Sequence, residues 1–331
     1  MNIDARNNLS LPSRVRVLFF GADALAVPTL DALIKNGYPV VGVVTNPDKP
    51  AGRSLKLTPP PVKIAAGRHQ LPVFQPLKLT PDLWKEKIPE AELFVVCAYG
   101  KIIPKAILEM APRGSLNIHP SLLPRWRGPS PIQYMILHGD QEIGITIILM
   151  DELMDHGPIV AKSKINPRLN RGQKSKITFF ELHNELSTRG ANLLIETLPR
   201  WLDGEITPVP QDESKATYSK ILKKEDGRIE WSRSAHQIER MIRAFTPWPG
   251  AWTMWSSQKK IWRMKVDSAD VSAEQESPGL PGSVWRHHRT MMIKTGSGSL
   301  AIKKITPEGK RPMEGDAFLR GHPEIIGTVL R

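Results

Sequence analysis

The chain has a single cysteine among its 331 residues, Cys97, so no intramolecular disulfide can brace it. Cys97 lies in the apolar run Leu93-Phe94-Val95-Val96-Cys97-Ala98 and reads as a buried core thiol rather than a nucleophile. No apolar run reaches the roughly 18 residues that a membrane span needs. The first thirteen residues carry Asp4 and Arg6 and lack the apolar stretch of a secretory signal, so 1–13 is expected to be a flexible tail. Spaced glycines are missing too. After the first apolar strand comes Gly21-Ala22-Asp23-Ala24-Leu25-Ala26, which leaves a dinucleotide enzyme as a weak reading.

Positive charge, by contrast, is plentiful. There are 46 Lys and Arg against 33 Asp and Glu, a net charge of +13, which suggests a polyanionic partner. From residue 216 onward the count is 20 basic against 12 acidic, so the carboxyl-terminal third is the more basic part. The length suits two domains with their own cores.

The opening pattern is βαβ. Residues 14–20 alternate and then turn apolar, as a central strand does; Val27, Leu30, Leu33 and Ile34 line one helix face; Val40 to Val44 make the next strand. This predicts an α/β domain with a doubly wound, Rossmann-like sheet. Residues 45–63 carry Lys49, Arg53, Lys56 and Lys63 among glycine and prolines, and are expected to form an exposed, semi-rigid loop. Leu116-Asn117-Ile118-His119 alternates, which puts Asn117 and His119 on one strand face about 6–7 Å apart, ahead of Pro120. An acid-rich stretch, residues 150–158, then supplies Asp151 and Asp155.

Residues 207–212 read as an extended polar connection, giving a first domain over 14–206, a linker over 207–217 and a second domain over 218–331. In the second, Ser234-Ala235-His236-Gln237 has capping-box spacing, and Ile238, Met241, Ile242 and Phe245 follow a helical period. Short alternating segments after residue 250 predict a smaller antiparallel β-barrel. Trp248, Trp252, Trp255 and Trp262 are read as core rather than as base-stacking platforms.

Taken singly, an Asn-x-His, a pair of acids or a basic loop is more often structural than catalytic. Together, from Arg14 to Leu330, they resemble the formyltetrahydrofolate-dependent formyltransferases, and most of all the members that act on methionyl initiator tRNA. That resemblance implies a catalytic domain followed by an OB-like tRNA-binding domain. It implies Asn117, His119 and Asp155 as catalytic residues, with Ala98, Tyr99, Gly100, Ser121, Leu122, Leu123 and Pro124 around the folate. It also implies tRNA contacts from Lys49, Arg53, Lys56 and Lys63, and an aminoacyl pocket touched by Leu25.

Several positions depart from the family pattern. Ala22 and Leu25 stand where the family has Thr and Phe, Pro129 and Ser130 where it has two alanines, and His156 where it has Thr or Ala. The implied co-substrate is 10-formyltetrahydrofolate, with no metal, since His119 and Asp155 are no ligand cluster. The implied partner is methionyl initiator tRNA, with no membrane, for a monomer of the cytoplasm or an organelle. Formyl transfer to an amine passes through a tetrahedral oxyanion, so donors at that oxygen and a proton route are what the three side chains would supply. Two other readings share parts of the pattern. A sugar-amine N-formyltransferase would lack the basic loop and the second domain, and a non-catalytic tRNA-binding protein would have no reason to keep the three polar residues.

Overall fold

The computed structural model describes residues 15–51, 55–165, 176–257, 260–272 and 279–331. The tail 1–13 and Arg53 lie outside the described residues. Two compact units result. The first comprises 1–131, 142–166 and 183–219, and the second 132–141, 167–182 and 220–331.

The first unit is built on β1 (Val17–Gly21), α1 (Val27–Lys35), β2 (Val40–Val44), a small hairpin β3 (Lys49–Ala51) and β4 (Lys56–Thr58), α2 (Pro61–Arg68), β5 (Val73–Phe74), α3 (Pro81–Lys87), β6 (Leu93–Cys97), α4 (Lys105–Leu108) and β7 (Ser115–His119). After α5 (Pro131–His138), whose residues from 132 on cluster with the second unit, come β8 (Ile143–Leu149), β9 (Ile159–Ile165) and the long α6 (Phe179–Leu202). The sheet order is β5-β2-β1-β6-β7-β8-β9. Its first five strands are parallel, and β1, β6 and β7 are buried along their whole length; β1 and β6 accordingly read as apolar runs, while β7 keeps Asn117 and His119 in a buried place. β8 and β9 run antiparallel, with Asn117 opposite Ile148 and His119 opposite Thr146, so the sheet is mixed. Apolarity reports burial and not direction, so the sequence does not announce that turn-back.

The core behind β1 and β6 gathers Leu18, Phe20, Phe94, Val96, Tyr99, Trp84 and Ile107. Phe20 stacks on Trp84 at 5.8 Å between centroids and meets Phe94 at 5.4 Å. Cys97 is buried, and burial pushes its thiol up to about 12, consistent with an inert core residue. α6 presents Leu186, Leu194 and Leu198 inward and approaches the sheet at Gly190, where a Cβ would crowd Ile118 and Ile145. Ile118 therefore faces α6, and the alternation of β7 turns Asn117 and His119 to the other face.

Residues 45–63 differ from the expected loop. Lys49 pairs with Thr58 and Ala51 with Lys56 in a hairpin, and Pro61 opens α2. The polar segment 207–217 is strapped to the first unit: Val209 exchanges backbone hydrogen bonds with Ile159 at 2.7 and 2.9 Å, and Thr217 N donates to Pro124 O at 3.1 Å.

The second unit contains α7 (Ala235–Phe245), then β10 (Ala251–Ser256), β11 (Ile261–Ser272), β12 (Val284–His287), β13 (Thr290–Lys294), β14 (Ser299–Pro307), β15 (Met313–Glu314) and α8 (Gly315–Gly321). Its antiparallel sheet has the order β10-β11-β14-β13-β12, with β15 on β14. The capping box is formed: Ser234 Oγ accepts from Gln237 N at 3.3 Å, and Gln237 Oε1 accepts from Ser234 N at 3.0 Å. Trp255 is buried, stacked on Trp262 at 6.4 Å. Trp252 and Trp262 are half-buried under Arg263 and Lys260. Trp248 corrects the core reading: it is 55% exposed, in the surface turn between α7 and β10, where Pro247 and Pro249 flank it.

Candidate active site

Three polar side chains meet where β7 ends. Asn117 and His119 are both buried on the face away from α6. Asp155 arrives from the loop after β8, and its carboxylate sits against both. Asn117 Nδ2 donates to Asp155 Oδ1 at 3.3 Å, and His119 Nδ1 lies 3.4 Å from the same oxygen. Asp155 Oδ2 accepts from Gly128 N at 2.8 Å. The other imidazole nitrogen, Nε2, is 2.9 Å from the carbonyl oxygen of Trp126.

Both ring nitrogens of His119 thus face acceptors, an arrangement that only the imidazolium satisfies fully. Burial opposes that charge, but the Asp155 carboxylate and the bond to Trp126 outweigh it and hold the imidazole above its usual value. Asp155 responds in kind. Burial favours its neutral form, and the charge and hydrogen bond of His119, with the Gly128 N–H, hold it below the usual carboxylate range.

The loop carrying Asp155 is tightly specified. Asp155 has a left-handed φ of 51°, uncommon for a residue with a side chain. A Cβ at Gly157 would collide with the carbonyl oxygen of Leu149, so only glycine lets the loop close there. Asp151 caps Leu153 N at 3.0 Å and meets His156 Nδ1 at 2.6 Å. Leu153 and Met154 are exposed.

Residues expected near a folate fall on two turns at this end of the sheet. Ala98 and Gly100 have φ of 46° and 73° and are exposed, while the Tyr99 ring points into the core. Ser121 Oγ is used internally, donating to Arg125 O at 2.6 Å, and Leu123 is fully buried. Leu122 and Pro124 are half-buried. The side chains of Tyr99, Ser121 and Leu123 therefore point away from any cleft, and a flat ligand there would meet main chain, Leu122 and Pro124.

Lys49 and Lys56 are exposed on the hairpin. Lys63 is on the first turn of α2, with Nζ held 2.8 Å from Asp48. Leu25 is buried; its carbonyl accepts from Ser187 Oγ at 2.7 Å, and Asp23, which caps its N–H at 2.9 Å, pairs with His183 at 3.0 Å.

Sequence reasoning passed over Arg127, Gln211 and Glu213. Arg127 is buried, and its guanidinium is bonded to Gln211 and Glu213, 84 and 86 residues away. An arginine a few residues after the Asn-x-His stretch was visible, but nothing local pointed to those partners. Among the described residues, no group of three or more His, Cys, Asp and Glu is placed to hold a metal ion, and no helix is long and apolar enough to cross a membrane.

Residues 13–177 match the family of formyl transferases, and residues 221–323 match the formyl transferase C-terminal domain. Methionyl-tRNA formyltransferase of Chloroflexus aurantiacus is 46% identical over 314 residues, covering 93% of this chain and 97% of that protein. The protein of the same name from Bacillus subtilis is 40% identical over 319 residues, covering 95% and 97%. Among solved structures, an N-formyltransferase from Helicobacter canadensis in complex with folinic acid and dTDP-3-aminofucose superposes with a TM-score of 0.62 at 18% identity, covering 87% of this chain and 98% of that one. HypX from Aquifex aeolicus in complex with tetrahydrofolic acid gives 0.61 at 19% identity, over 96% of this chain and 48% of that one. At those identities the two structures speak for the fold alone.

Proposed function

The chain belongs to the methionyl-tRNA formyltransferase family, and on that premise we propose that it is an enzyme transferring the formyl group of 10-formyltetrahydrofolate to the α-amine of methionyl initiator tRNA. The observation that carries the chemistry is the meeting of Asn117, His119 and Asp155 in one buried place, with Asp155 Oδ1 within 3.4 Å of both partners.

In this reading the α-amine nitrogen bonds to the formyl carbon as the bond from that carbon to N10 breaks. Asn117 Nδ2, with a hydrogen beyond the one that Asp155 takes, donates to the oxygen that becomes negative in between, and the charge of the His119 imidazolium stabilises it through space. Donors of this kind contribute about 10²–10³-fold each in a water-poor site. Asp155, held against His119, takes the proton that the amine must lose, directly or through one water, and returns it to the departing N10, so the ion pair is restored at the end of the cycle. No side chain becomes covalently attached, because the amine itself is the nucleophile.

The turn at Ala98–Gly100 and the segment Ser121–Pro124 would border the pterin, chiefly through main chain. The exposed, left-handed Ala98 and Gly100 at the end of β6 support that placement. Lys49 and Lys56 on a proline-bearing hairpin, together with Arg53, would meet phosphates at the acceptor end of the tRNA, and Leu25 would lie against the methionyl side chain. Lys63, engaged by Asp48, would contribute less to phosphate binding than the hairpin lysines. The bacterial relatives support a cytoplasmic site of action, and we assign a monomer.

Single-turnover formylation with 10-formyltetrahydrofolate tests this. It compares methionyl initiator tRNA, methionyl elongator tRNA and a free amino sugar, each repeated with Arg53→Ala. Fast formylation of the initiator alone, weakened by the substitution, is expected. Activity confined to the sugar would overturn the tRNA assignment, and none on any acceptor would favour a binding protein.

A further inference from the structure

We propose that Arg127, acting through Gln211, is the positioning residue that sets the Asp155 carboxylate against His119. The proposal rests on the acyl-transfer reading of that site.

Arg127 is only 1% exposed, so its guanidinium has no water to satisfy it. Nε and Nη2 donate to Gln211 Oε1 at 3.1 and 2.9 Å. Nη1 and Nη2 donate to the Glu213 carboxylate at 2.9 and 2.6 Å, and Nη1 reaches Tyr218 Oη at 3.4 Å. With Oε1 turned to the guanidinium, the amide of Gln211 has one possible orientation. Its Nε2 must face the other way, and it donates to the carbonyl oxygens of Asp155 and Gly157, both at 2.8 Å. A flipped amide would set NH₂ against the guanidinium and an oxygen against two carbonyls, so both neighbours fix the orientation.

The two carbonyls gripped in this way bracket His156 and belong to the turn in which Asp155 holds its left-handed φ. Such a conformation persists only where its surroundings impose it. From the other side, Gly128 N, one residue beyond Arg127, holds Asp155 Oδ2. A second arm reaches the start of the same loop: Glu213 lies 3.5 Å from His156 Nε2, and His156 Nδ1 meets Asp151. Arg127 is thus the common anchor for the main chain of Asp155, its carboxylate and the acid that opens the loop. The charged groups facing Asp155 are His119 and, at longer range, Arg127 itself.

Gln211→Glu isolates the clamp. The new side chain still accepts from Arg127, but presents an oxygen instead of a donor to the two carbonyls. Circular dichroism and folate binding check that the fold is kept, and a lowered melting temperature is expected from the two carbonyls left without a donor. The expected result is a fall in kcat of about tenfold to a hundredfold, the size of effect that misplacement by about 1 Å produces, with KM for either substrate within about twofold. The NMR titration of the His119 ring should move to lower pH, because its carboxylate partner no longer stays in contact. If Gln211→Glu does not fold, Gln211→Met, which leaves Arg127 with Glu213, carries the same readouts.

An unchanged His119 titration together with an unchanged kcat overturns the clamp. The titration reports on the clamp whether or not the acceptor has been assigned correctly. Wild-type protein inert on every acceptor would instead sink the acyl-transfer reading.

Discussion

At His119 two acceptors, Trp126 O at 2.9 Å and Asp155 Oδ1 at 3.4 Å, favour the charged form of the ring. The sign of the pH dependence follows. The imidazole stands above its usual value, so its contribution to stability is complete below the unfolded value of about 6.5 and is lost as pH rises through the raised one. Asp155, held low, contributes above its unfolded value and is lost as pH falls through its depressed one. Between the two the ion pair is intact. Activity that needs the imidazolium should therefore fall on the alkaline side of the raised His119 value. Asp155→Asn should move the His119 titration to lower pH in an NMR experiment and reduce the formylation rate by about 10²–10⁴-fold, as loss of a proton-transfer group does. An unmoved titration would show that the pair does not govern the site.

Gly157→Ala should destabilise the protein by about 1–3 kcal/mol in thermal or denaturant unfolding, because its Cβ meets the Leu149 carbonyl and backbone must shift. At this scale, Asn117 and His119 were legible as one face of a strand. The conformation of Asp155 was not, since it depends on a glutamine 56 residues away.

Among the elements, strands buried on both faces were the easiest to read: Val40 to Val44 stands where the apolar run puts it. The hairpin of β3 and β4 was hidden, because two strands of three residues, the first carrying Pro50, leave no periodic signal. It puts Lys49 and Lys56 on a defined, exposed ribbon. Removing both lysines should lower the slope of log affinity against log salt for tRNA by about two, roughly one for each phosphate no longer neutralised, and leave folate binding alone. An unchanged slope would remove the hairpin from the interface. In the second unit the capping box was legible from its spacing, and Ser234→Ala should cost about 1 kcal/mol of stability, read in denaturant unfolding.

Over the whole molecule, composition and charge indicated two domains and a polyanionic partner, and the resemblance supplied the chemistry. What neither supplied was the strap formed by residues 207–219, which the polar composition presented as a connection. It pairs with β9 and brings Gln211, Glu213 and Tyr218 to Arg127 within the first unit. Long-range polar contacts of this kind leave no periodicity in a sequence, because each partner is ordinary in its own neighbourhood. The central claim is that the buried Asn117–His119–Asp155 set performs formyl transfer to the tRNA-borne amine. The most direct test is the formylation rate of His119→Ala on methionyl initiator tRNA, with tRNA affinity measured on the same samples. The account predicts a loss of about 10²–10⁴-fold in rate with affinity within about twofold of wild type. A variant that formylates at the wild-type rate would contradict it.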